Sequence, residues 1–313
     1  MLNYIVKRIA ATIPVVIVVG LFIFGLLFVA PGDPATILAG EQATAQDLAQ
    51  IRQELGLDRP FLVQFFEWSG QVAQGNLGRS IFSKQPVTVL IAQRLEPTLL
   101  LMALTMVISV LVGVPLGVIA AFKHGGRLDT FVMSASVLGF SVPVFVVGYI
   151  LAYVFALQLG WFPAQGYTPI AEGFWRAVRS LTLPAIALSG VYSALIARTG
   201  RAAMLDILSQ DYIRTARAKG VSQWTVLFVH ALRACGVPLL TVIGMGVALL
   251  IGGAVVTETV FSIPGLGRLT VDAILQRDYP VIQGVVIFFS FLYVLVNLVI
   301  DLLYTFVDPR IRY

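Results

Sequence analysis

Long apolar runs separated by short polar interruptions make up most of this chain. A hydrocarbon core about 30 Å thick takes roughly 20 apolar residues at a rise of about 1.5 Å each. Six stretches meet that test: 9–30, 97–122, 130–157, 181–197, 236–257 and 281–307. The last is interrupted only by Asp301, and the fourth, the shortest, is followed at once by Arg198 and Arg201. Lipid cannot satisfy backbone polar groups, so each stretch is predicted to be a helix. The first, preceded by Lys7 and Arg8, is longer than a typical signal-peptide core. It ends in Pro31-Gly32-Asp33-Pro34 rather than a small-x-small cleavage site, so it reads as a retained helix.

Composition agrees with the pattern. Of 313 residues 58% are hydrophobic and 12% charged, and the mean hydropathy is +0.90. Soluble domains carry about 25% charged residues, so half that share excludes an ordinary cytosolic enzyme, a disordered chain and a secreted disulfide scaffold. Cys235, the single cysteine, has no internal disulfide partner. The fold class expected is an all-α integral membrane protein with six transmembrane helices.

Charge then chooses the orientation. With the N-terminus inside, the inner segments hold 12 of the 21 basic residues, among them Lys123, Arg127, Arg201 and Arg214, against four acids, Asp129, Asp206, Asp211 and Asp308. The two short outer loops hold four basic residues, Arg176, Arg179, Arg268 and Arg277. The positive-inside rule therefore places both termini in the cytoplasm. The pI near 9.5 follows from this topology and gives no reason to invoke nucleic acid.

Two segments outside the bilayer carry signals of their own. Within 31–96, Thr44 with Asp47 three residues on can cap a helix in which Leu48, Ile51 and Leu55 recur at helical spacing, and Gly56 is its stop. Phe61, Leu62, Phe65, Phe66 and Trp68 follow, a cluster suited to the headgroup boundary. A docking or gating element and a space-filling interfacial helix fit this segment equally. The segment 198–235 is long for a turn between two helices. Its run Asp211-Tyr212-Ile213-Arg214-Thr215-Ala216-Arg217-Ala218-Lys219-Gly220 predicts a short helix with an acidic start, a basic end and a glycine stop. It is either a lever for a second protein to grip or a solvated connector whose charges fix topology.

Catalytic chemistry has little to stand on. His124 and His230 are far apart and match no metal-ligand spacing, and there is neither a P-loop nor a G-x-S-x-G serine. No catalytic or metal site is expected. Asp301 is the one ionisable residue inside an expected helix. Such a residue is a functional candidate, but its place near the helix end favours an interfacial aspartate paired with a basic residue such as Arg198. Lacking a mid-membrane acid, a proton-coupled mechanism has little to work with. Gly113 with Gly117, and Ala248 with Gly252, stand four apart, a spacing for close helix contact or for a subunit interface. Pro115 and Pro143 are expected to kink their helices. Ser134, Ser141, Tyr149 and Tyr153 either line a polar path or satisfy neighbouring backbone groups.

Several strings in order along the chain carry a resemblance. They are Pro31-Gly32-Asp33-Pro34, Leu55-Gly56-Leu57-Asp58-Arg59-Pro60, Asn76-Leu77-Gly78-Arg79-Ser80, Trp161-Phe162-Pro163, Phe261-Ser262-Ile263-Pro264-Gly265-Leu266-Gly267, Arg277-Asp278-Tyr279-Pro280 and Asp308-Pro309-Arg310-Ile311-Arg312-Tyr313. Over essentially its whole length the chain resembles the inner-membrane permease subunits of ABC importers, in the dipeptide, oligopeptide and nickel group. That resemblance implies a type I ABC importer permease fold, divided as 1–30 (N-terminal segment and first helix), 31–96 (extracytoplasmic segment) and 97–313 (five-helix core with the cytoplasmic coupling loop 198–235).

The family's ATPase-coupling motif, Glu-Ala-Ala followed by a fixed glycine, falls on Arg214-Thr215-Ala216 and Gly220, with Arg217 and Lys219 between. The leading Glu-Ala is replaced, and the later Leu-Pro is Leu232-Arg233, a variant similar to the peptide-transporter branch. Pro264 and Gly265 join Ser141, Tyr149 and Tyr153 as candidates for the translocation path or its gate. The implied partners are a second homologous permease, two ABC ATPases, an extracytoplasmic solute-binding protein and membrane lipid. ATP and magnesium would reside on the ATPases, and no cofactor on this chain. The function expected is uptake of di- or oligopeptides, with glutathione or a nickel chelate as alternative solutes. A membrane enzyme and a stand-alone secondary carrier are the readings from other classes.

Overall fold

The computed structural model describes residues 13–25, 44–54 and 58–307. The expected Pro31–Pro34 turn, the Gly56 stop, the Lys7-Arg8 flank and the terminal run from Asp308 lie outside the described residues. The helices are α1 (Ile13–Gly25), α2 (Ala45–Glu54), α3 (Phe61–Ala73), α4 (Val87–Phe122), α5 (Arg127–Ser141) and α6 (Val144–Leu151), which continues at π pitch over Ala152–Gln158. They are followed by α7 (Phe174–Leu208), α8 (Asp211–Ala218), the composite α9 (Gln223–Thr225, Val226–Ala231 at π pitch, Leu232–Ala234), α10 (Gly236–Val260), α11 (Leu266–Gln276) and α12 (Tyr279–Val307).

Among the described residues, α4, α7, α10 and α12 are long and apolar enough to cross a membrane, and α5 with α6 forms a fifth candidate span broken by 97°. The break has a local cause. Val142 is extended (φ −85°, ψ 122°) before Pro143 (φ −58°, ψ 135°), because a proline ring disfavours the helical region for the residue preceding it. The kink expected at Pro143 is thus a full interruption. Pro115 and Pro97, in contrast, lie inside the continuous 36-residue α4, which begins ten residues before the expected start at Pro97. The fourth stretch, short by hydropathy, is the middle of the 35-residue α7. Its charged ends, Arg176 and Arg179 on one side and Arg201 and Asp206 on the other, fall outside the apolar window without ending the helix.

The chain divides into two compact units, residues 1–94 with 269–294 and residues 95–268 with 295–313. In the first, Phe24 of α1 meets the rings of Phe61, Phe65 and Trp68 at 5.4–5.7 Å. Three of the five residues expected at the headgroup boundary are therefore packed on α1, while Leu62 and Phe66 stay exposed. The same unit joins two of the strings quoted above. Buried Asp278 accepts hydrogen bonds from the Ser80 hydroxyl (2.5 Å) and the Ile81 N–H (3.1 Å). A Cβ on Gly284 would lie 2.5 Å from Val87, so α12 comes down on the start of α4 with no room for a side chain.

In the second unit α7 is the central helix, packed by α5, α6 and α10. Two apolar clusters surround it, one around Leu101, Leu181, Leu188, Leu250 and Phe261, the other around Ile196, Met204, Ile213, Leu227 and Cys235. A Cβ on Gly113 would stand 2.8 Å from the Ser193 carbonyl, and one on Gly117 2.8 Å from that of Ala197. The glycine pair is thus a close contact of α4 with α7 inside one chain. Gly252 of the other pair has nothing within 4 Å; the tight positions on α10 are Gly244, against Ile300, and Gly253, against the Tyr192 hydroxyl.

Candidate functional site

Within the segment 198–235 the run 211–220 folds as its charge pattern foretells, whereas residues 198–208 continue α7 in place of the expected loop. α7 ends at Leu208, Ser209 and Gln210 turn the chain, and α8 runs from Asp211 to Ala218. Only one residue of α8, Ile213, is fully buried, against the cluster of Met204, Val226, Leu227 and Ala231. Its C-terminus closes as a Schellman motif: the Gly220 N–H donates to the Arg217 carbonyl (3.0 Å) and the Val221 N–H to that of Ala216 (3.2 Å). Gly220 takes φ +78° to make that turn. Ala216 and Val221 pack on the same apolar cluster, which is the hydrophobic contact such a stop requires.

The rest of α8 faces outward. Arg214, Thr215, Arg217 and Lys219 are exposed and Ala216 half-buried. Arg214 sits 3.4 Å from the Asp211 carboxylate, both largely in the open. Exposed charge pairs of this kind add little stability, so the basic face remains available. In the composite α9 that follows, the exposed rings of Trp224 and Phe228 stack at 5.7 Å and 17°. Burial, with the Asp206 carboxylate adding, pushes the Cys235 thiol up to about 11.

The candidates for a path or gate separate into two groups. Tyr149 and Tyr153 stand four residues apart on α6, both exposed. Ser141 is exposed at the end of α5, its hydroxyl donating to the Val137 carbonyl (2.9 Å). Pro264 is exposed, but Gly265 is buried, and a Cβ there would lie 2.2 Å from the Glu258 carboxylate. Gly265 is therefore a packing position.

Glu258 itself was not singled out by sequence, because the expected fifth stretch stopped at residue 257; the helix continues to Val260 and takes the acid in. Asp301 is thus not alone within the helices, and a fully buried glutamate corrects the expectation. Glu258 accepts hydrogen bonds from the Thr98 hydroxyl (2.6 Å) and the Arg268 N–H (3.0 Å), while the Thr98 oxygen accepts from the Leu266 N–H (2.8 Å). The carboxylate and threonine together hold the first turn of α11 and fasten the loop 261–265 to α4. The next string is held in the same way: Arg179 donates twice to the Trp161 carbonyl (2.8 and 3.2 Å), and the Gly166 N–H donates to the Phe261 carbonyl (2.9 Å).

A second ionic feature went unread. Asp129, in the first turn of α5, receives Arg201 of α7 through both Nε (2.5 Å) and Nη2 (2.7 Å), together with the Gly125 N–H (2.9 Å). The basic residue that takes a carboxylate here is Arg201. Arg198, named above as a partner for Asp301, is exposed, and Asp301 is buried.

Comparison with known proteins supplies what geometry alone does not. Residues 113–313 match the family described as the binding-protein-dependent transport system inner membrane component, and residues 1–103 match its N-terminal counterpart. A probable peptide ABC transporter permease protein of Sinorhizobium fredii is 55% identical over 310 residues, 99% of each chain. A putative peptide transport system permease protein of Brucella abortus is 46% identical over 99% of this chain and 98% of its own. The glutathione transport system permease protein of Escherichia coli is 42% identical over 100% of both. Among solved structures, the inward-facing methionine ABC transporter MetNI is similar at a TM-score of 0.60 and 17% identity, over 71% of this chain and 97% of that one.

Proposed function

This chain belongs to the family of binding-protein-dependent transport system inner membrane components, and on that premise we propose that it carries peptides inward, driven by ATPases that grip α8. It is an ABC importer permease and a multi-pass protein of the inner membrane. The peptide assignment is supported by full-length similarity to relatives named for peptides at 55% and 46% identity. Glutathione, itself a tripeptide, is the second reading, favoured by the 42% relative.

The observation that carries the mechanism is the form of α8: one buried residue, a glycine-locked stop and an otherwise open basic face. Ile213 seats the helix on the end of α7, so a push on α8 moves α7 instead of bending a loop. Arg214, Thr215, Ala216, Arg217, Lys219 and Gly220 form the contact. Two cytoplasmic ATPases bind and hydrolyse ATP, and this chain does no bond chemistry. It pairs with a second homologous permease, and an extracytoplasmic binding protein delivers the solute. The broken span of α5 and α6 counts as one crossing and α1 as another, which gives six crossings with both termini cytoplasmic. Tyr149 and Tyr153 lie along the path.

The test is purification of a tagged chain from its native membrane, followed by uptake in vesicles made from the co-purified complex. A second permease and two P-loop ATPases should come with it. Uptake of a labelled tripeptide should need ATP, survive a protonophore and be competed by other peptides. Recovery of the chain alone, or uptake that stops with the proton gradient, would overturn the proposal. Competition by glutathione and not by other peptides would replace the first reading with the second.

A further inference from the structure

We propose that the Asp129–Arg201 pair is a positioning clasp that passes movement of α8 and α7 to the broken span, so that ATP hydrolysis does work on the path; this rests on the importer reading above. Asp129 is 5% exposed, and its contacts define a direction as well as a distance. Arg201 reaches Oδ1 with Nε and Oδ2 with Nη2, the planar fork that fixes both separation and orientation. The Gly125 N–H and His124 Nδ1 (3.2 Å) close on Oδ2 from the turn preceding α5. His124 Nδ1 also lies 3.0 Å from Arg201 Nη2. Arg201 thereby ties the first turn of α5 to α7, and the turn preceding α5 holds the carboxylate in place for it.

The rest of the α5–α7 contact is of another kind. Ten residues further along α5, about 15 Å at helical rise, a Cβ on Gly139 would meet the Gly190 carbonyl at 3.3 Å, and a Cβ on Gly190 would meet nothing. Val132 and Ser136 are buried between the two ends, so the clasp adds an ionic tie at the start of an apolar contact that runs along α5. Its other end breaks by 97° into α6, which carries exposed Tyr149 and Tyr153. On the other side of the clasp, Arg201 stands seven residues, about 10 Å, before the end of α7, and only Ser209 and Gln210 separate that end from α8. A Cβ on Gly117 would stand 3.2 Å from the Arg201 N atom, so α4 presses this turn of α7 and stops Arg201 from swinging away. A displacement of α8 therefore reaches the start of α5 through the clasp, beside the direct packing of α6 on α7.

The experiment compares wild type with Asp129→Asn, Arg201→Lys, Arg201→Ala and the exchange Asp129→Arg with Arg201→Asp. Each is assembled into vesicles with its partner permease, ATPases and binding protein, and solute moved per ATP hydrolysed is the readout. Assembled complex is quantified first, so a variant that fails to fold is replaced by its conservative counterpart, Asn at 129 or Lys at 201. The expected result is near-normal binding-protein-stimulated hydrolysis with solute per ATP down at least tenfold in Asp129→Asn and Arg201→Ala. Arg201→Lys should fall between, and the exchange should recover part of the loss. Uptake and hydrolysis falling in parallel, or an unchanged ratio in all variants, would overturn the clasp and reduce the pair to a fold contact. Wild-type vesicles that hydrolyse ATP and move no solute would overturn the importer reading, and the clasp with it.

Discussion

Replacing Thr98 with Val removes one oxygen atom and keeps the shape, and the structure gives the expected cost. Thr98 is 1% exposed, and its hydroxyl donates to Glu258 at 2.6 Å and accepts from the Leu266 N–H at 2.8 Å. Both bonds go with the oxygen. A hydrogen bond to a charged group contributes about 1.5–3 kcal/mol and a neutral one about 0.5–1.5 kcal/mol. The variant should therefore lose about 2–4.5 kcal/mol. The control is Thr98→Ser, which retains the hydroxyl and loses only a methyl group, about 0.8 kcal/mol. The assay is the temperature at which half of the solubilised protein leaves the monodisperse peak after a fixed heating period. Unfolding of such a chain is irreversible, so the midpoint is a rate and all variants must share one protocol. The expected order is wild type, then Ser, then Val, with Val several degrees below Ser. Val equal to or above Ser would refute the reasoning, since it would mean that shape and not the hydroxyl holds the loop.

Three further outcomes follow from the same kind of reading. At Gly220 the strain is conformational, because φ is +78° and a Cβ would meet nothing within 4 Å; Ala and Leu should each cost on the order of 1–2 kcal/mol in heat stability of the isolated chain, with Asn milder, and uptake should fall while membrane insertion persists. Leu far worse than Ala in the isolated chain would show crowding in place of strain. The Cys235 thiol, raised to about 11 from 9.0, holds roughly a hundredfold less thiolate at pH 8 than an ordinary one; maleimide labelling of the native chain should be slow and quicken about tenfold per pH unit up to 11, whereas labelling in denaturing detergent should be fast, and equal rates would contradict its burial. Gly113→Ala and Gly117→Ala should each cost about 1–3 kcal/mol by forcing α4 off α7, read as a lowered heat midpoint, while Gly252→Ala, with open space around it, should leave the midpoint unchanged.

The sequence already contained the apolar runs of α4, α7, α10 and α12 and the short basic helix α8, because both depend on local pattern. A run of lipid-facing residues needs no tertiary partner to be recognised. The acidic start, basic end and glycine stop of α8 likewise lie within ten residues of one another. Helix ends were less legible. Hydropathy ends a span where charge begins, but α7 runs through Arg176, Arg179, Arg201 and Asp206, since a helix can leave the apolar window and continue. Pro97 looked like a start and Pro143 like a kink, yet α4 passes through the first and the chain breaks at the second. The conformation of the residue before each proline decides which happens, extended at Val142 and helical at Glu96. Glu258 and the Asp129–Arg201 clasp were out of reach for another reason: Thr98 and Glu258 lie 160 residues apart and Arg201 and Asp129 72, so no short window contains both partners.

The strings that carry the family resemblance are, where described, mostly fastenings. Ser80 and Asp278 bond each other, Gly265 and Gly267 clear space around Glu258, and the Trp161 carbonyl is held by Arg179. Each contact fixes one loop or helix turn against another within its own unit. Such positions are expected to be shared by permeases that carry different cargo, and the relatives named for peptides and for glutathione do align with this chain over nearly its full length. Surfaces with no internal contact to preserve are free to differ between such permeases. The exposed face of α6 at Tyr149 and Tyr153 is such a surface, and it belongs to the one candidate span whose backbone is broken.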